Sequence, residues 1–577
     1  MHHALCIQEL IVNICYCLRA ELDPPYLGST AHKVARAALA SLARTCHMFH
    51  DPAIHSLWSF QGSLHPVVLR LGDSVMETDD AVTYVHAPSD AQISSFIKYA
   101  RFIETIRLSS HIKIDTKILD TLLSLSWPPS ISTHSCIPLF PNLRRLSWDI
   151  DYPDPQIDDD FMCLFIGPRL SELLGSSSSS PMELTRHALR YYTPSLKTFR
   201  WQRGSPPSYS LLIEACLCPS ISEKLTFISL SNLGVVTSAI WVMLSQFPHL
   251  RKLYSRIPTT NPKGKSVVFP ATHFPSLDIL ELFSYGRQAR DFISFAVELM
   301  PVDRRPYRLR RLSLECDEPF IDGDATVIIR EMVEVCDTDI LETFRLNVNY
   351  YSTEDPTWEH PDIVPTSLTP LLDLPSLREL TLWPMKRIDL DNETLETMAH
   401  AWPNLETLDL PWDDKRWLQA SKITLEGLIP LAQLCPRLDT VWITLGPHVS
   451  VSDELQFRVD QMTFRNSLQT LQLDRGSISD WDSAERVARF LLKLFPHLSG
   501  LLWYQDDDPC EDLEDEMGSS TRDENDGSVV GGRLSGQGNS GRNIWDLVKE
   551  IIIREFYIRR RRIVLDIVSR ISRSSKR

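Results

Sequence analysis

One pattern of apolar and polar positions returns along most of the chain: an aromatic residue or leucine, a proline, one free position, then L-x-x-L-x-L. Trp402-Pro403-Asn404-Leu405-Glu406-Thr407-Leu408-Asp409-Leu410 carries it in full. Shorter copies begin at Phe140-Pro141, Phe247-Pro248, Phe274-Pro275, Leu374-Pro375 and Phe495-Pro496, and looser ones at Leu196, Leu225, Leu309, Leu341, Leu438 and Leu468. From Leu341 onward the framework leucines Leu341, Leu377, Leu405, Leu438, Leu468 and Leu498 lie 28 to 36 residues apart, a period expected of a stacked solenoid. Alternation within L-x-L predicts a strand whose second and third framework positions point inward, so that the residues beside them line the concave face of a parallel sheet. Between strands, Asp391–Ala401, Thr424–Leu434 and Ser483–Phe495 have helical spacing, and Pro403, Pro436 and Pro496 follow them. A proline cannot continue a helix and holds its predecessor extended, so each one ends a helix and releases the next strand. The first repeat strand is predicted in Tyr99–Leu108, with Ile103, Ile106 and Leu108 as its framework.

The array is expected to be irregular. A regular leucine-rich repeat closes its turn with an asparagine or cysteine three residues past the last framework position, where this chain has Asp413 and Gly446 in two copies. Polar or proline-rich stretches at Ser176–Pro181, Thr259–Pro270 and Asp355–Pro370 read as insertions on solenoid loops, where extra length costs little. After Gln505 the composition changes: residues 506–526 hold 11 acidic side chains and one arginine, and Gly518–Gly541 is rich in Gly and Ser, which predicts disorder. Ile544 to about Ile571 then reads as an amphipathic helix with Trp545, Val548, Ile552 and Phe556 on one side, followed by a basic end. Folding back onto the solenoid is the structural reading of that helix; a nuclear-import or membrane-surface role is the other.

The organisation is thus a helical segment at 1–60, a connector at 61–95, the solenoid at 96–505, an acidic linker at 506–543 and a basic helix and tail at 544–577. A formal charge of −16 argues against general nucleic-acid binding, which needs a basic surface. Neither a membrane span nor a secretory signal is present in the sequence, and the 12 scattered cysteines read as reduced thiols of a cytoplasmic or nuclear protein.

Residues 1–58 predict three short helices. Ala4–Leu18 is the first, the second carries Val34, Ala38, Leu39, Leu42, Ala43 and Cys46, and the third follows Asp51-Pro52, with Asp51 as N-cap and Ile54, Leu57 and Trp58 buried. Read physically, this is a cap over the open end of a solenoid. The same residues carry a resemblance. Ala4-Leu5, Ile7-Gln8-Glu9-Leu10-Ile11, Ile14 and Leu18, then Leu42-Ala43-Arg44-Thr45-Cys46-His47-Met48-Phe49, Asp51-Pro52-Ala53-Ile54 and Leu57-Trp58 resemble an F-box. The version meant is the one that opens many leucine-rich proteins of mushroom-forming fungi. The family carries a proline where Gln8 stands here, and the loop Arg19–Lys33 is long. The resemblance implies docking to a Skp-type adaptor, and through it to a cullin, by Leu5, Ile7, Glu9, Leu10, Ile14, Leu18, Leu42, Cys46, Phe49, Leu57 and Trp58.

No catalytic, cofactor or metal site emerges. Pro262–Ser266 ends like a phosphate-binding loop, but its leading glycine would fall at Thr259 and prolines stand at Pro258 and Pro262. The thiol pairs Cys15/Cys17 and Cys216/Cys218 lack a second pair or a histidine at ligand spacing. The positive signal is the row of residues flanking the inward positions: Arg311, Arg345, Trp383, Asp409, Trp442, Asp474 and Tyr504, with Glu315 and Asn347. Large aromatics among polar groups on a sheet fit a protein-binding surface. The expectation is an α/β protein, a short helical domain followed by an irregular leucine-rich solenoid, acting as the substrate-recognition subunit of a Skp-cullin-F-box ubiquitin ligase. The alternatives are a scaffold with no ligase role and an enzyme with its site in the insertions.

Overall fold

The computed structural model describes residues 8–20, 30–78, 81–109, 113–127, 137–149, 159–176, 183–202, 206–230, 236–257, 274–284, 295, 306–316, 324–348, 363–383, 388–411, 421–474, 478, 480–504 and 544–574. Two compact units divide the chain, Met1–Phe283 and Ser284–Arg577. The insertion at Thr259–Pro270, the phosphate-loop look-alike, Asp413 and the acidic stretch after Gln505 lie outside the described residues.

In the first unit, helices α1 (Gln8–Ala20), α2 (Thr30–Leu42) and α3 (His47–Ser59) lead into strand β1 (Phe60–Gln61). Strands β2 (Val75–Glu77), β3 (Ala81–Tyr84) and β5 (Lys113–Ile114) form a small separate sheet. The main ladder is parallel: β1, β4 (Thr105–Ser109), β6 (Arg145–Asp149), β7 (Glu172–Ser176), β8 (Thr198–Trp201), β9 (Phe227–Leu230), β10 (Lys252–Arg256) and β11 (Ile279–Ser284). In the second unit β12 (Arg311–Cys316), β13 (Thr343–Val348), β14 (Glu379–Trp383), β15 (Thr407–Leu410), β16 (Thr440–Thr444), β17 (Thr470–Asp474) and β18 (Gly500–Tyr504) pair in the same way. Strand follows helix follows strand, and neighbours in space are neighbours in sequence. This is the leucine-rich-repeat solenoid that the pattern predicts.

The Φ-Pro-x-Leu motif turns out to be a hydrogen-bonded β-turn. The carbonyl of the residue before proline accepts the framework leucine's N–H: Trp402 from Leu405 at 3.1 Å, Cys435 from Leu438 at 3.2 Å, Phe495 from Leu498 at 3.1 Å. Proline stands at the second turn position, whose φ its ring already holds. The residue before it leaves helical geometry, as Trp402 does with φ −120 and ψ 68. One residue later the register is locked. The Glu406 carbonyl receives both Asp439 N–H (2.8 Å) and Thr440 N–H (3.1 Å), and the same two-donor arrangement repeats at Glu342, Arg378, Asp439 and Gln469.

Leu405, Leu408 and Leu410 are buried, and Leu341, Leu377, Leu438, Leu468 and Leu498 have no exposed surface. The missing asparagine finds substitutes at the ends of the helices. Trp402 Nε1 donates to the Leu371 carbonyl of the previous repeat (3.0 Å), and Cys435 Sγ to that of Trp402 (3.5 Å). Asn466 Nδ2 bridges the carbonyls of Ala432 (3.1 Å) and Leu494 (2.7 Å). Burial of the Cys435 thiol pushes its pKa up to about 12, so it stays a neutral donor. Gly446 permits a close approach: its N–H reaches the Ile423 carbonyl at 2.7 Å, and a Cβ there would stand 2.8 Å from the Ser421 carbonyl oxygen.

Three expectations need correction. Helix α3 begins a turn before Asp51, with Cys46 at its N-cap and Pro52 inside it. The buried stripe Phe49, Ala53, Ser56 and Ser59 starts there, and Met48, whose carbonyl Pro52 cannot serve, is exposed. Ile54, Leu57 and Trp58 are only half-buried: Ile54 and Leu57 pack on the rim of the core of Cys15, Ala35, Leu39, Ala43, Ala53 and Phe60. The Pro-rich stretch Asp355–Pro370 is not all loop. Pro365 opens a short helix (Pro365–Leu368) and Pro370 sits in the first turn of the 3-10 helix Thr369–Asp373, positions where a missing N–H costs nothing.

The C-terminal helix Ile544–Ser574 packs on Trp481–Leu494 and on β18. Trp545, Val548 and Ile552 are buried, Phe556 is half-buried, and Arg559 Nη1 donates to the Pro496 carbonyl at 3.3 Å. The fold-back reading is the one the structure shows. No helix among the described residues is long and apolar enough to cross a membrane.

Candidate functional site

Strand register decides which of the predicted surface residues meet. Arg345, Thr381, Asp409, Trp442 and Gln472 form one row across β13 to β17, through the pairs Arg345↔Thr381, Thr381↔Asp409, Asp409↔Trp442 and Trp442↔Gln472. Asn347 pairs Trp383 one step further along, and Thr444, Asp474 and Tyr504 continue at the same step on β16 to β18. Arg311 lies one step earlier, in line with Thr343, Glu379 and Thr407. Alternation puts all of these on the sheet face opposite the framework leucines. For Asp474 and Tyr504 only the backbone is among the described parts of the structure.

The row has an internal electrostatic order that the sequence did not reveal. Glu379 accepts from Arg345 Nε at 2.7 Å and stands 4.0 Å from Arg311. In front of the strands, the residues after the framework leucines form a second ladder: Arg310 to Glu342 at 2.7 Å, Arg378 to Glu342 at 3.9 Å, and Arg378 to Glu406. Gln469 extends it to Asp439 at 2.8 Å. The signal was alternation between repeats, from Arg310 to Glu342 to Arg378 to Glu406, invisible within any one repeat.

Trp383 and Trp442, on strands flanking β15, bring their rings to 5.2 Å at 80°. Asp409 lies on the strand between them. Burial pushes its carboxyl up to about 6, against the pull of the Trp383 indole and the Arg345 guanidinium and with the repulsion of Glu379 added. The sign follows. Between about pH 4 and 6 the folded protein binds a proton that the unfolded chain has released, so Asp409 costs stability as pH rises through that window. Asp409→Asn is expected to be more stable than wild type at pH 7. Solvent reaching the half-buried carboxyl holds the gain to about 1–2 kcal/mol. Thermal melts at pH 7 and pH 4 check this: the gap should close at the lower pH.

The first unit has its own opening on the same type of sheet face, about 380 Å³, lined among others by Arg107, Arg145, Arg200 and Glu172. Arg145 grips Glu172 through two bonds (2.8 and 3.2 Å), and the Arg200 guanidinium lies over Phe227 at 4.5 Å. None of these residues was picked out from the sequence, where they read as single charges in loose repeats.

At the N-terminus, Leu5 and Ile7 lie outside the described residues. Glu9, Leu10 and Ile14 are exposed on α1, and Leu18, Leu42, Cys46, Leu57 and Trp58 are half-buried. Phe49 is in the core and offers no surface while α3 is packed. Trp58 is engaged with Tyr99 (4.5 Å) and lies under Arg70 (5.4 Å). Helix α1 buries Ile11 and Cys15, yet leaves Leu10 and Ile14 on one flank and Val12 and Tyr16 on the other at 38–65 % exposure. The helices are fastened to the repeats by Arg19, 2.9 Å from Glu104, and by β1. Burial raises the Glu104 carboxyl pKa, but the bond and charge of Arg19, with Arg144 and His55, outweigh it and hold it below the usual carboxylate range.

Cys216 is buried, with its thiol pushed far up by burial, and Cys218 Sγ bonds the Arg190 carbonyl at 3.2 Å. Among the described residues no group of three or more His, Cys, Asp or Glu is arranged to hold a metal ion.

No protein-family profile and no curated protein sequence matches the chain. Solved structures similar to it include a leucine-rich-repeat protein of Leptospira interrogans, 15 % identical over 76 % of this chain and 99 % of that one, with a TM-score of 0.36. An internalin of Listeria monocytogenes is 12 % identical over 68 % and 91 %, with a TM-score of 0.25. The leucine-rich-repeat domain of APL1 is 14 % identical over 75 % and 89 %, with a TM-score of 0.26.

Proposed function

We propose that the chain is a non-catalytic recognition subunit. Its N-terminal helices dock a Skp-type adaptor of a cullin ubiquitin ligase, and its repeats hold a target protein. The observation that carries the reading is helix α1. A helix with one buried stripe needs only that stripe apolar, and here two further apolar flanks, Leu10/Ile14 and Val12/Tyr16, face solvent. The F-box resemblance of Ala4–Trp58 gives that surface its partner. Arg19, Glu104 and β1 fasten α1 to the first repeats, and carrying both binding surfaces on one chain raises the target's effective concentration at the conjugating enzyme.

The test is co-purification of the full chain with a Skp-type adaptor. Leu10→Asp with Ile14→Asp places two charges on an exposed flank that has no role in the helix core. Adaptor retention is expected to fall at least about tenfold, since about 1.4 kcal/mol suffices for that, with the melting temperature unchanged. Equal retention would leave the helices as a solenoid cap and the chain as a scaffold without a ligase role. A cap is already supported by the contacts of Trp58 with Tyr99 and of His55 with Phe102 (5.9 Å).

A further inference from the structure

On the face of β13 to β16, Asn347 Oδ1 and Thr444 Oγ1 are shut away from water without a hydrogen-bond partner, on strands that flank the Asp409 carboxyl, to which the Trp383 indole N–H is turned. Buried polar atoms in folded proteins are nearly always bonded, so a cluster of orphans in adjacent strands calls for a complement. Here the tally has a bias. Asn347 and Asp409 contribute acceptors, the Thr444 hydroxyl can accept, and the one donor of the set, the Trp383 indole, is already turned to Asp409. The missing partner is therefore rich in donors.

Charge points the same way. Arg345, the nearest cation in the row, is committed to Glu379 and separated from Asp409 by the strand that carries Thr381. Asp409 thus feels that guanidinium only at a distance and has no ion-pair partner among the described residues. On the strands to either side of it, Trp383 and Trp442 meet edge to face at 5.2 Å. A carboxylate flanked by indole faces suits a cation, since the ring quadrupole and the charge attract the same group.

We propose that Trp383, Asp409 and Trp442, with Asn347 and Thr444 at the rim, form a socket for the protonated side chain of a lysine or arginine in a basic segment of the protein that the repeats recognise. This deepens, and rests on, the reading of the repeats as a target-binding surface. Ammonium and guanidinium groups bring three and five N–H donors respectively, which matches an acceptor-rich set of orphans. The carboxylate is held ready at a cost to the free protein, which the bound cation removes.

The test uses the full chain passed over immobilised heptapeptides Gly-Ser-Gly-Xaa-Gly-Ser-Gly, with Xaa arginine, lysine, citrulline or norleucine. Citrulline keeps the shape of arginine without its charge, and norleucine keeps the chain length of lysine. Retention on arginine and lysine peptides should exceed that on the neutral pair by at least about tenfold, the equivalent of about 1.4 kcal/mol. Asp409→Asn and Trp383→Ala should each remove the difference, and Trp442→Phe should keep most of it. Retention should also fall as pH drops through about 6, where the Asp409 carboxyl takes up its proton.

Equal retention of arginine and citrulline, or an Asp409→Asn variant that still discriminates, overturns the proposal. Since Asp409→Asn is expected to be the more stable protein at neutral pH, its loss of binding cannot be put down to unfolding. The two readings fail separately. Loss of adaptor co-purification removes the ligase role and leaves the peptide result standing, whereas indifference to charge removes the socket and leaves the adaptor.

Discussion

Trp402→Ala is expected to destabilise the repeats around β14 to β16 by about 3–5 kcal/mol, the usual cost of emptying a buried aromatic site. Trp402 has no exposed surface, closes the helix Asn392–Ala401, and ties itself to the previous repeat through its indole and the Leu371 carbonyl. Trp402→Phe separates the two contributions. It keeps most of the packing and drops the hydrogen bond, so about 1 kcal/mol should be lost. Amide hydrogen exchange within Thr407–Leu410 and Thr440–Thr444 reads both. Protection unchanged by the alanine variant would show that these repeats do not depend on that junction.

Removal of the C-terminal cap should have an effect of similar size. Val548 and Ile552 are completely buried on the helix that packs on Trp481–Leu494 and β18, and Val548→Asp with Ile552→Asp would put two unpaired carboxylates into that contact. Each such charge costs several kcal/mol, more than one helix face can return, so the helix Ile544–Ser574 is expected to detach. Limited proteolysis should then cut within 544–559, and light scattering should show self-association as the last repeat uncovers its apolar end. A double variant as protease-resistant and monodisperse as wild type would mean that the helix is not the cap.

The sequence announced the repeats because one motif does two jobs at fixed spacing. In Trp402-Pro403-Asn404-Leu405 the proline marks both the end of a helix and the second position of a turn, and leucine begins the next strand. Copies lacking the proline, such as those at Leu225 and Leu468, are still legible through their buried leucines. Strand β1 escaped notice because two residues, Phe60 and Gln61, are too few to show alternation. The start of α3 was misplaced because Asp51-Pro52 is a good local start signal, and the core stripe beginning at Phe49 overrode it. Most of the candidate surface could be anticipated from alternation alone. The meeting of Trp383 with Trp442 could not, since they sit at different steps of non-adjacent strands and only the register joins them. Glu379 carries no signal of its own in the sequence, yet it takes the ion pair with Arg345 and leaves Asp409 only the more distant pull of that guanidinium.

Within each unit, successive strands of the main ladder pair in the order in which the chain reaches them, about 30 residues apart. The loop that must close before two repeats touch is therefore short, and its entropic cost grows only logarithmically with length. Such low contact order favours rapid, local nucleation, from which each new repeat adds to a finished one. The two-donor carbonyls at Glu342, Arg378 and Glu406 supply a waiting acceptor for every incoming strand. A nascent chain can thus assemble its repeats one at a time as they emerge, with Trp545, Val548 and Ile552 arriving after β18 on the helix that packs against it.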